Sequence, residues 1–251
     1  MVARKRALRE RSADARAPWH GAIVGSDGAQ GLLFLDERSW EVHQALRVGE
    51  RPLYDLSKRA FDAAFALTLL VMTLPVSLVA ALLVRLSSPG PILFRQVRCG
   101  HEGQPFTCYK FRTMVDGASH LREVLRPLNE VDGPVFKMRN DPRITRVGRW
   151  LRRLSIDELP QLINVLRGEM SVVGPRPPLP EEVEEYGPRE WRRLAVKPGL
   201  TCLWQVSGRS LIGFDEWMAL DLAYVERRGF WYDVQLVLRT VPAVFTGRGA
   251  L

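Results

Sequence analysis

Residues 60–84 read AFDAAFALTLLVMTLPVSLVAALLV, with Asp62 as the only charge. As one helix rising about 1.5 Å per residue, this stretch would cross a bilayer. A soluble buried helix this long and apolar is not expected, so the run predicts membrane association. Pro75 lies near its middle, where it removes a backbone hydrogen bond and forces a kink. Both flanks are basic, Lys58 and Arg59 before the run and Arg85, Arg95 and Arg98 after it. A spanning helix calls for charge asymmetry, and there is little. One reading is a proline-kinked helix that spans. The other is a helix that enters, bends at Leu74-Pro75 and leaves by the same face, with Thr73 and Ser77 bonding the backbone groups the proline frees. The residues alone leave both open.

Beyond the run, Ser87-Ser88-Pro89-Gly90-Pro91 is a strong break. ILFRQVR (92–98) and PFTCYKFRT (105–113) then flank the turn-forming CGHEGQ, which predicts a β-hairpin. Lys110 and Arg112 alternate with Tyr109 and Phe111, so both cations project from one face, as an anion site or as a solvated strand face. Upstream, residues 1–18 are basic and polar, read as a mobile tail; no apolar stretch follows directly, so they are not a signal peptide. Residues 20–50 hold short apolar pieces, read as a hairpin or docking arm. This divides the chain into a partly disordered arm (1–52), a basic flank with a membrane helix (53–91), and a remainder (92–251) that the family resemblance described below implies is a cytosolic, interfacial catalytic domain.

The 251 residues are 46% hydrophobic and carry a net charge of +8. Such a balance suits nucleic acid, an anionic membrane surface or phosphate-bearing substrates. No helix-turn-helix or zinc spacing appears, so nucleic acid is not an expected partner. Cys99, Cys108 and Cys202 have no metal-ligand spacing and read as reduced thiols facing a cytosol, with Cys108 in the core.

DPRITRVGRWLRRLS (141–155) places Arg143, Arg146, Arg149 and Arg153 at helical spacing, opposite Ile144, Val147, Trp150, Leu151 and Leu154. Such a helix would lie on anionic lipid or line an anion site, if its arginines are not simply solvated. SIDELPQL (155–162) follows. Ser155 and Glu158 fit a capping box, but that helix would put Pro160 at its fifth position, at a cost of roughly 3 kcal/mol. Proline belongs at a first position, so the LPQLINVL helix is expected to start at Pro160, with Asp157 and Glu158 at or just before its end. A carboxylate pair there can hold Mg²⁺ with one member and attack phosphorus with the other. VVGPRPPLP (172–180) is a stiff loop around Arg176. EEVEEY (181–186) reads as a solvated helix face. In the carboxyl-terminal helices, Trp217, Tyr224, Phe230, Trp231 and Tyr232 suggest a position at the headgroup level rather than an ordinary core.

Together, SSPGPILFRQVR, YKFRTM, DPRITRVGRWLRRLSIDELPQLINVLRGEMSVVGPRP, VKPGLT with WQVSGR, and LDLAYVERR resemble the bacterial sugar transferases, the monotopic polyprenyl-phosphate phosphoglycosyl transferases, over residues 55–251. The chain resembles their short form with an arm of about 50 residues in front. Ile156 and Cys202 depart mildly from the pattern, where many relatives carry Leu and Gly. The resemblance implies an α+β, mostly α fold with a re-entrant, proline-broken membrane helix, interfacial amphipathic helices and a small β-hairpin. It implies transfer of a sugar-1-phosphate, glucose or galactose by preference, from a UDP-sugar to polyprenyl (undecaprenyl) phosphate, which begins a surface glycan. By the same likeness Asp157 attacks the sugar-bearing phosphate and Glu158 helps hold Mg²⁺, with Asp157 a second candidate ligand. Arg152, Arg176, Lys110 and Arg112 would hold substrate phosphates, and Pro75 would mark the membrane break. The expected location is the cytoplasmic face of a bacterial inner membrane, with membrane lipids and a homodimer as further partners. The rival is a membrane-tethered scaffold without activity, against which the intact Asp157, Glu158 and Arg176 argue.

Overall fold

A computed structural model describes residues 37–49, 51–118, 120–130, 136, 138, 140–208 and 212–246. The basic tail and most of the supposed arm lie outside these. The apolar pieces on which the hairpin or docking-arm reading rests lie outside the described residues; the arm's described part contains a helix, α1 (Glu37–Leu46). The chain divides into two units, residues 1–44 and 45–251. The second unit holds the apolar run and every candidate site residue.

Helix α2 (Pro52–Ser87) contains the whole apolar run. Pro52 occupies the first turn, where its missing N–H is no loss, and Asp55 meets the positive end of the dipole. The backbone stays helical through Pro75. Thr73 Oγ1 donates to the Leu69 carbonyl at 2.7 Å; that is not the Val71 carbonyl freed by the proline, so Thr73 does not make the expected rescue. Such back-bonding itself favours a bend. The helix ends at the Ser-Pro-Gly break, as its sequence demands.

The hairpin forms as expected. β1 (Leu93–Cys99) and β2 (Pro105–Phe111) pair antiparallel, with Leu93 opposite Phe111 and Cys99 opposite Pro105. After β2 come the short α3 (His120–Leu125), then α4 (Arg146–Arg153), a 3-10 turn at Ile156–Glu158 and α5 (Gln161–Arg167). β3 (Ser171–Val173) and β4 (Gly199–Thr201) form a small parallel pair. Strands of three residues are too short to leave a pattern, and the sequence gives no sign of this pair. Between them run α6 (Pro180–Glu184) and α7 (Pro188–Trp191); after them come α8 (Leu203–Ser207), α9 (Phe214–Arg227) and α10 (Phe230–Thr246). The chains cross so closely at β3–β4 that a Cβ on Gly199 would lie 2.1 Å from the Gly174 nitrogen, so only glycine fits.

Two apolar clusters seat α2. Near its start, Ala66 packs with Cys108, Leu162, Val165, Val172, Val173, Tyr224 and Leu236. Near its end, Ala80 and Val84 pack with Phe111 and Leu151. Between them Leu67, Val71, Met72, Leu74, Val76, Leu78 and Val79 are exposed. Burying apolar surface gains about 25 cal/mol per Å², so a contiguous exposed stripe of this kind marks a surface made for an apolar environment. The polar ends are tied down as well. Asp62 Oδ1 accepts from the Val172 amide at 2.9 Å, and Arg59 donates to the Val165 and Leu166 carbonyls at the end of α5, at 2.8 and 2.7 Å.

Several expectations change. Arg143 is not on the basic helix: it is buried and paired with Asp141 at 2.6 Å, because α4 begins only at Arg146. The supposed apolar face splits, with Leu151 buried and Trp150 turned outward. The EEVEEY run is not wholly solvated, since Glu182 is buried and accepts from the Leu179 amide. In the carboxyl-terminal helices Trp217 and Tyr224 are core residues; Trp231 alone of the five aromatics is strongly exposed, at 80%. Trp217 stacks on Trp204 with ring centroids 4.9 Å apart, a pairing that sequence distance concealed.

Candidate active site

The acid pair owes its position to the residues around it. Thr145 caps α4, its Oγ1 accepting from the Gly148 amide at 2.9 Å. Gly148 lets α4 press onto the strand exit, because a Cβ there would meet the Thr113 carbonyl at 2.0 Å. The chain then reverses at Ser155, a non-glycine residue in the left-handed region with φ 55°. That strain is of order 1 kcal/mol. Ser155 makes no side-chain cap, so the capping-box alternative does not form. Instead Ile156–Glu158 closes as a 3-10 turn, with the Leu159 amide donating to the Ile156 carbonyl at 3.2 Å. Pro160 caps α5, which starts at Gln161. The acids therefore sit just ahead of the helix, as the exclusion of proline from helix interiors requires. Ile156 and Leu159, on either side, pack into the apolar clusters and fix the turn.

Asp157 is only 7% exposed. Burial pushes its carboxyl up to about 6, against the pull of Lys110; the neighbouring Glu158 raises it further and Arg152 opposes. Glu158 is ion-paired with Lys110 at 2.7 Å. Lys110 reaches it from the end of β2, the strand paired to β1. Arg152 comes from α4, held by a 2.9 Å bond from its Nε to Thr113 Oγ1; burial lowers its pKa while the Asp157 charge supports its cationic form.

Arg176 arrives on the proline-rich loop. Prolines lack N–H donors, so the loop is secured through its carbonyls. Arg193 Nη2 donates to the Arg176 carbonyl at 2.8 Å, Arg98 Nη1 to that of Pro177 at 2.9 Å, and the Cys99 amide to that of Pro178 at 3.0 Å. Arg193 is itself fixed by Asp221, at 2.6 Å, and by the Tyr186 hydroxyl, at 2.6 Å. Burial and then the charge of Arg176 lower Arg98 to about 10.

A cleft of about 310 Å³, counting its open mouth, is lined by the charged side chains of Arg98, Lys110, Glu158 and Arg176. Cys108, Pro177, Leu200, Gln161 and Gln205 are among its neutral lining. The fold thus gathers Asp157, Glu158, Arg152, Arg176 and Lys110 about one point. It does not bring Arg112 there. That side chain donates to the Ser88 carbonyl and hydroxyl, at 2.6 and 3.0 Å, and fastens the end of α2. The KFR cations therefore do different work, because β2 ends at Phe111. Arg98, Thr113, Gln161 and Gln205 do not stand out in the sequence. Arg98 lies inside the quoted FRQVR, but a lone arginine in a strand carries no functional signal.

Among the described residues no group of three or more His, Cys, Asp and Glu side chains could hold a metal by itself. Two adjacent carboxylates, one of them paired with Lys110, do suit Mg²⁺, which takes one or two carboxylates and fills its remaining positions with substrate phosphate and water.

The sequence profile of the bacterial sugar transferases matches residues 53–247. The exopolysaccharide production protein ExoY of Rhizobium meliloti is 42% identical over 204 residues, covering 80% of this chain and 90% of that protein. The UDP-glucose:undecaprenyl-phosphate glucose-1-phosphate transferase of Caulobacter vibrioides is 44% identical over 206 residues, 78% of this chain and 72% of that protein. The undecaprenyl-phosphate galactose phosphotransferase of Salmonella typhimurium is 40% identical over 201 residues, 77% of this chain but 41% of that protein. With its acid pair, its converging cations and its apolar helix in place, the chain belongs to the bacterial sugar transferase family.

Proposed function

We propose that the protein transfers a sugar-1-phosphate, glucose or galactose, from a UDP-sugar to undecaprenyl phosphate at the cytoplasmic face of a bacterial inner membrane, as the first step of surface glycan assembly. The observation that carries this is a cleft lined by Glu158, Lys110, Arg98 and Arg176, with the buried Asp157 and Arg152 within electrostatic reach of those charges, in a chain whose long helix has a wide exposed apolar stripe.

Asp157 serves as nucleophile. One carboxylate oxygen bonds to the sugar-bearing phosphorus, the phosphoanhydride bond breaks and UMP leaves with the electron pair. The lipid phosphate oxygen then attacks the same phosphorus, and the aspartyl–phosphorus bond breaks to restore the carboxylate. The four cations outnumber the two carboxylates, and the excess favours a diphosphate substrate and charge gathering on its oxygens. Arg176 is presented rigidly by its pinned carbonyls, and Arg152 by Thr113. When bound at Glu158, with Asp157 as a second ligand, Mg²⁺ would neutralise phosphate charge. Lys110 would then exchange Glu158 for a phosphate oxygen.

The membrane reading is a re-entrant helix. Its support is that both halves of α2 rest on the same domain, Ala66 against α5 and β3 and Val84 against β2 and α4, with the exposed apolar residues between them around Pro75. A straight crossing would carry one of these ends about 30 Å away across the bilayer. Exposed Trp150 and Trp231 would lie at the headgroup level. Cysteines placed at residues 53 and 86 should both react with an impermeant thiol reagent from the cytoplasmic side; labelling from opposite sides would establish a span.

The activity test incubates the purified chain with Mg²⁺, undecaprenyl phosphate and a panel of UDP-sugars. UMP release with one of them, dependent on Asp157, is the expected result. No UMP from any nucleotide sugar would remove the proposal.

A further inference from the structure

The cleft is lined by uncharged side chains as well as charged ones, and one of the uncharged ones has an unmet need. Gln161 opens α5, is 3% exposed, and its Nε2 has no hydrogen-bond partner. A buried amide donor left so is destabilising by about 1–3 kcal/mol, and native interiors leave few of them. Gln205 lines the same cleft. Its Oε1 accepts from the Cys202 amide at 3.1 Å, which fixes the carboxamide and leaves its Nε2 as the group a ligand can use. Leu200 and Pro177 supply apolar surface beside them.

We propose that these two amides form the subsite for the hexosyl group, with Gln161 and Gln205 donating to sugar hydroxyl oxygens. The proposal rests on the reading that the donor is a nucleotide diphosphate sugar. Two observations select the sugar over the other parts of that molecule. First, the phosphates already face Arg98, Lys110 and Arg176, whereas uncharged amide donors match uncharged hydroxyls. Second, Gln161 follows Asp157 by four residues, about one helical turn, and so stays beside the phosphorus that Asp157 attacks. Of the three groups that visit the cleft, the nucleotide leaves after the first half-reaction and the lipid phosphate arrives only for the second. The phosphosugar is present throughout, and a donor fixed next to the nucleophile faces the group that stays. Gln161 and Gln205 are thereby the residues that read the pattern of hydroxyls on the transferred sugar.

The experiment uses the full chain in detergent with Mg²⁺, comparing wild type with Gln161→Met and Gln205→Met. Methionine keeps the length of the side chain and removes the donor; at residue 205 it also removes the oxygen that accepts from the Cys202 amide, so the melting temperature is read for both variants. The readouts are kcat/KM for the UDP-sugar that wild type uses, from UMP release, and the inhibition constant of UMP, which has no sugar. Loss of one uncharged donor to substrate should lower kcat/KM about tenfold, with UMP inhibition unchanged and the melting temperature of Gln161→Met equal to or above that of wild type. Parallel weakening of UMP would assign the amides to the nucleotide and overturn the proposal. Unchanged kcat/KM in both variants would deny any contact. Should Gln161→Met not fold, the half-exposed Gln205 decides between the same outcomes. Absence of UMP release by wild type with every UDP-sugar is a separate result: it removes the functional reading, and the subsite falls with it.

Discussion

Asp157 and Asp233 are both buried carboxylates, 7% and 2% exposed, and they are held in opposite ways. Asp233 lies where α2, α9 and α10 meet. Tyr54 and Lys58 donate to its Oδ2 at 2.8 and 2.7 Å, and Tyr224 to its Oδ1 at 2.9 Å. Three elements close on one acid, and every donor matches an oxygen. Asp157, by contrast, has a second carboxylate as its sequence neighbour, and the nearest ammonium is engaged by that neighbour. Its pKa is pushed up to about 6, which means the fold works against its charged form. A carboxylate satisfied on all sides is a joint; one held under electrostatic strain in a cleft is available to react.

The sharpest way to test that contrast is to neutralise each acid. Asp157→Asn should lower transfer by on the order of 10³-fold or more, as expected when a covalent nucleophile is lost, measured as UMP release, and no phosphosugar adduct should form at residue 157. Comparable turnover in the variant would end the distinction. Removing Mg²⁺ with a chelator should also abolish UMP release, by several kcal/mol of transition-state stabilisation, and restoring the ion should restore it without refolding.

Asp233→Ala should do the reverse. It leaves Lys58, only 15% exposed, with an uncompensated charge, so stability should fall by about 3 kcal/mol, read by denaturant unfolding, while kcat per folded molecule stays near wild type. Arg176→Lys keeps the charge but loses the planar fork, and kcat/KM should fall about tenfold or more without a change in melting temperature.

The smallest effect concerns stability at the site itself. The raised pKa of Asp157 means that its contribution to folding is most favourable below about pH 4 and is lost as pH rises through about 6. Metal-free Asp157→Asn should therefore be more stable than wild type by about 1–2 kcal/mol above pH 6, with the advantage vanishing below about pH 4. A variant that is less stable at neutral pH would place Asp157 in the same class as Asp233.

Local rules made much of this protein legible from its residues. Hydropathy marked α2, alternation and a turn marked the hairpin, and the exclusion of proline from helix interiors set Asp157 and Glu158 ahead of α5. These follow from forces acting over a few residues. What proximity in space decides was not legible. Lys110 and Arg112 are two residues apart, yet one pairs with Glu158 and the other holds Ser88, because the strand ends between them. Arg143 shares the spacing of a basic helix but lies before its cap. Trp217 and Tyr224 looked like membrane-facing aromatics and proved to be core, since their partners Trp204 and Val173 are distant in sequence.

The sequence by itself therefore determined that α2, the core of α4, α5 and the carboxyl-terminal segments are helical, which segment seeks an apolar medium, and which acids stand together just ahead of a helix. The tertiary structure decided which cations face those acids, that Arg98 and Arg193 fix the Arg176 loop, and that Gln161 is left with a donor to satisfy. The reason is physical. Propensity and periodicity act along the chain, whereas ion pairing, desolvation and hydrogen-bond satisfaction depend on what the folded chain brings within about 3 Å.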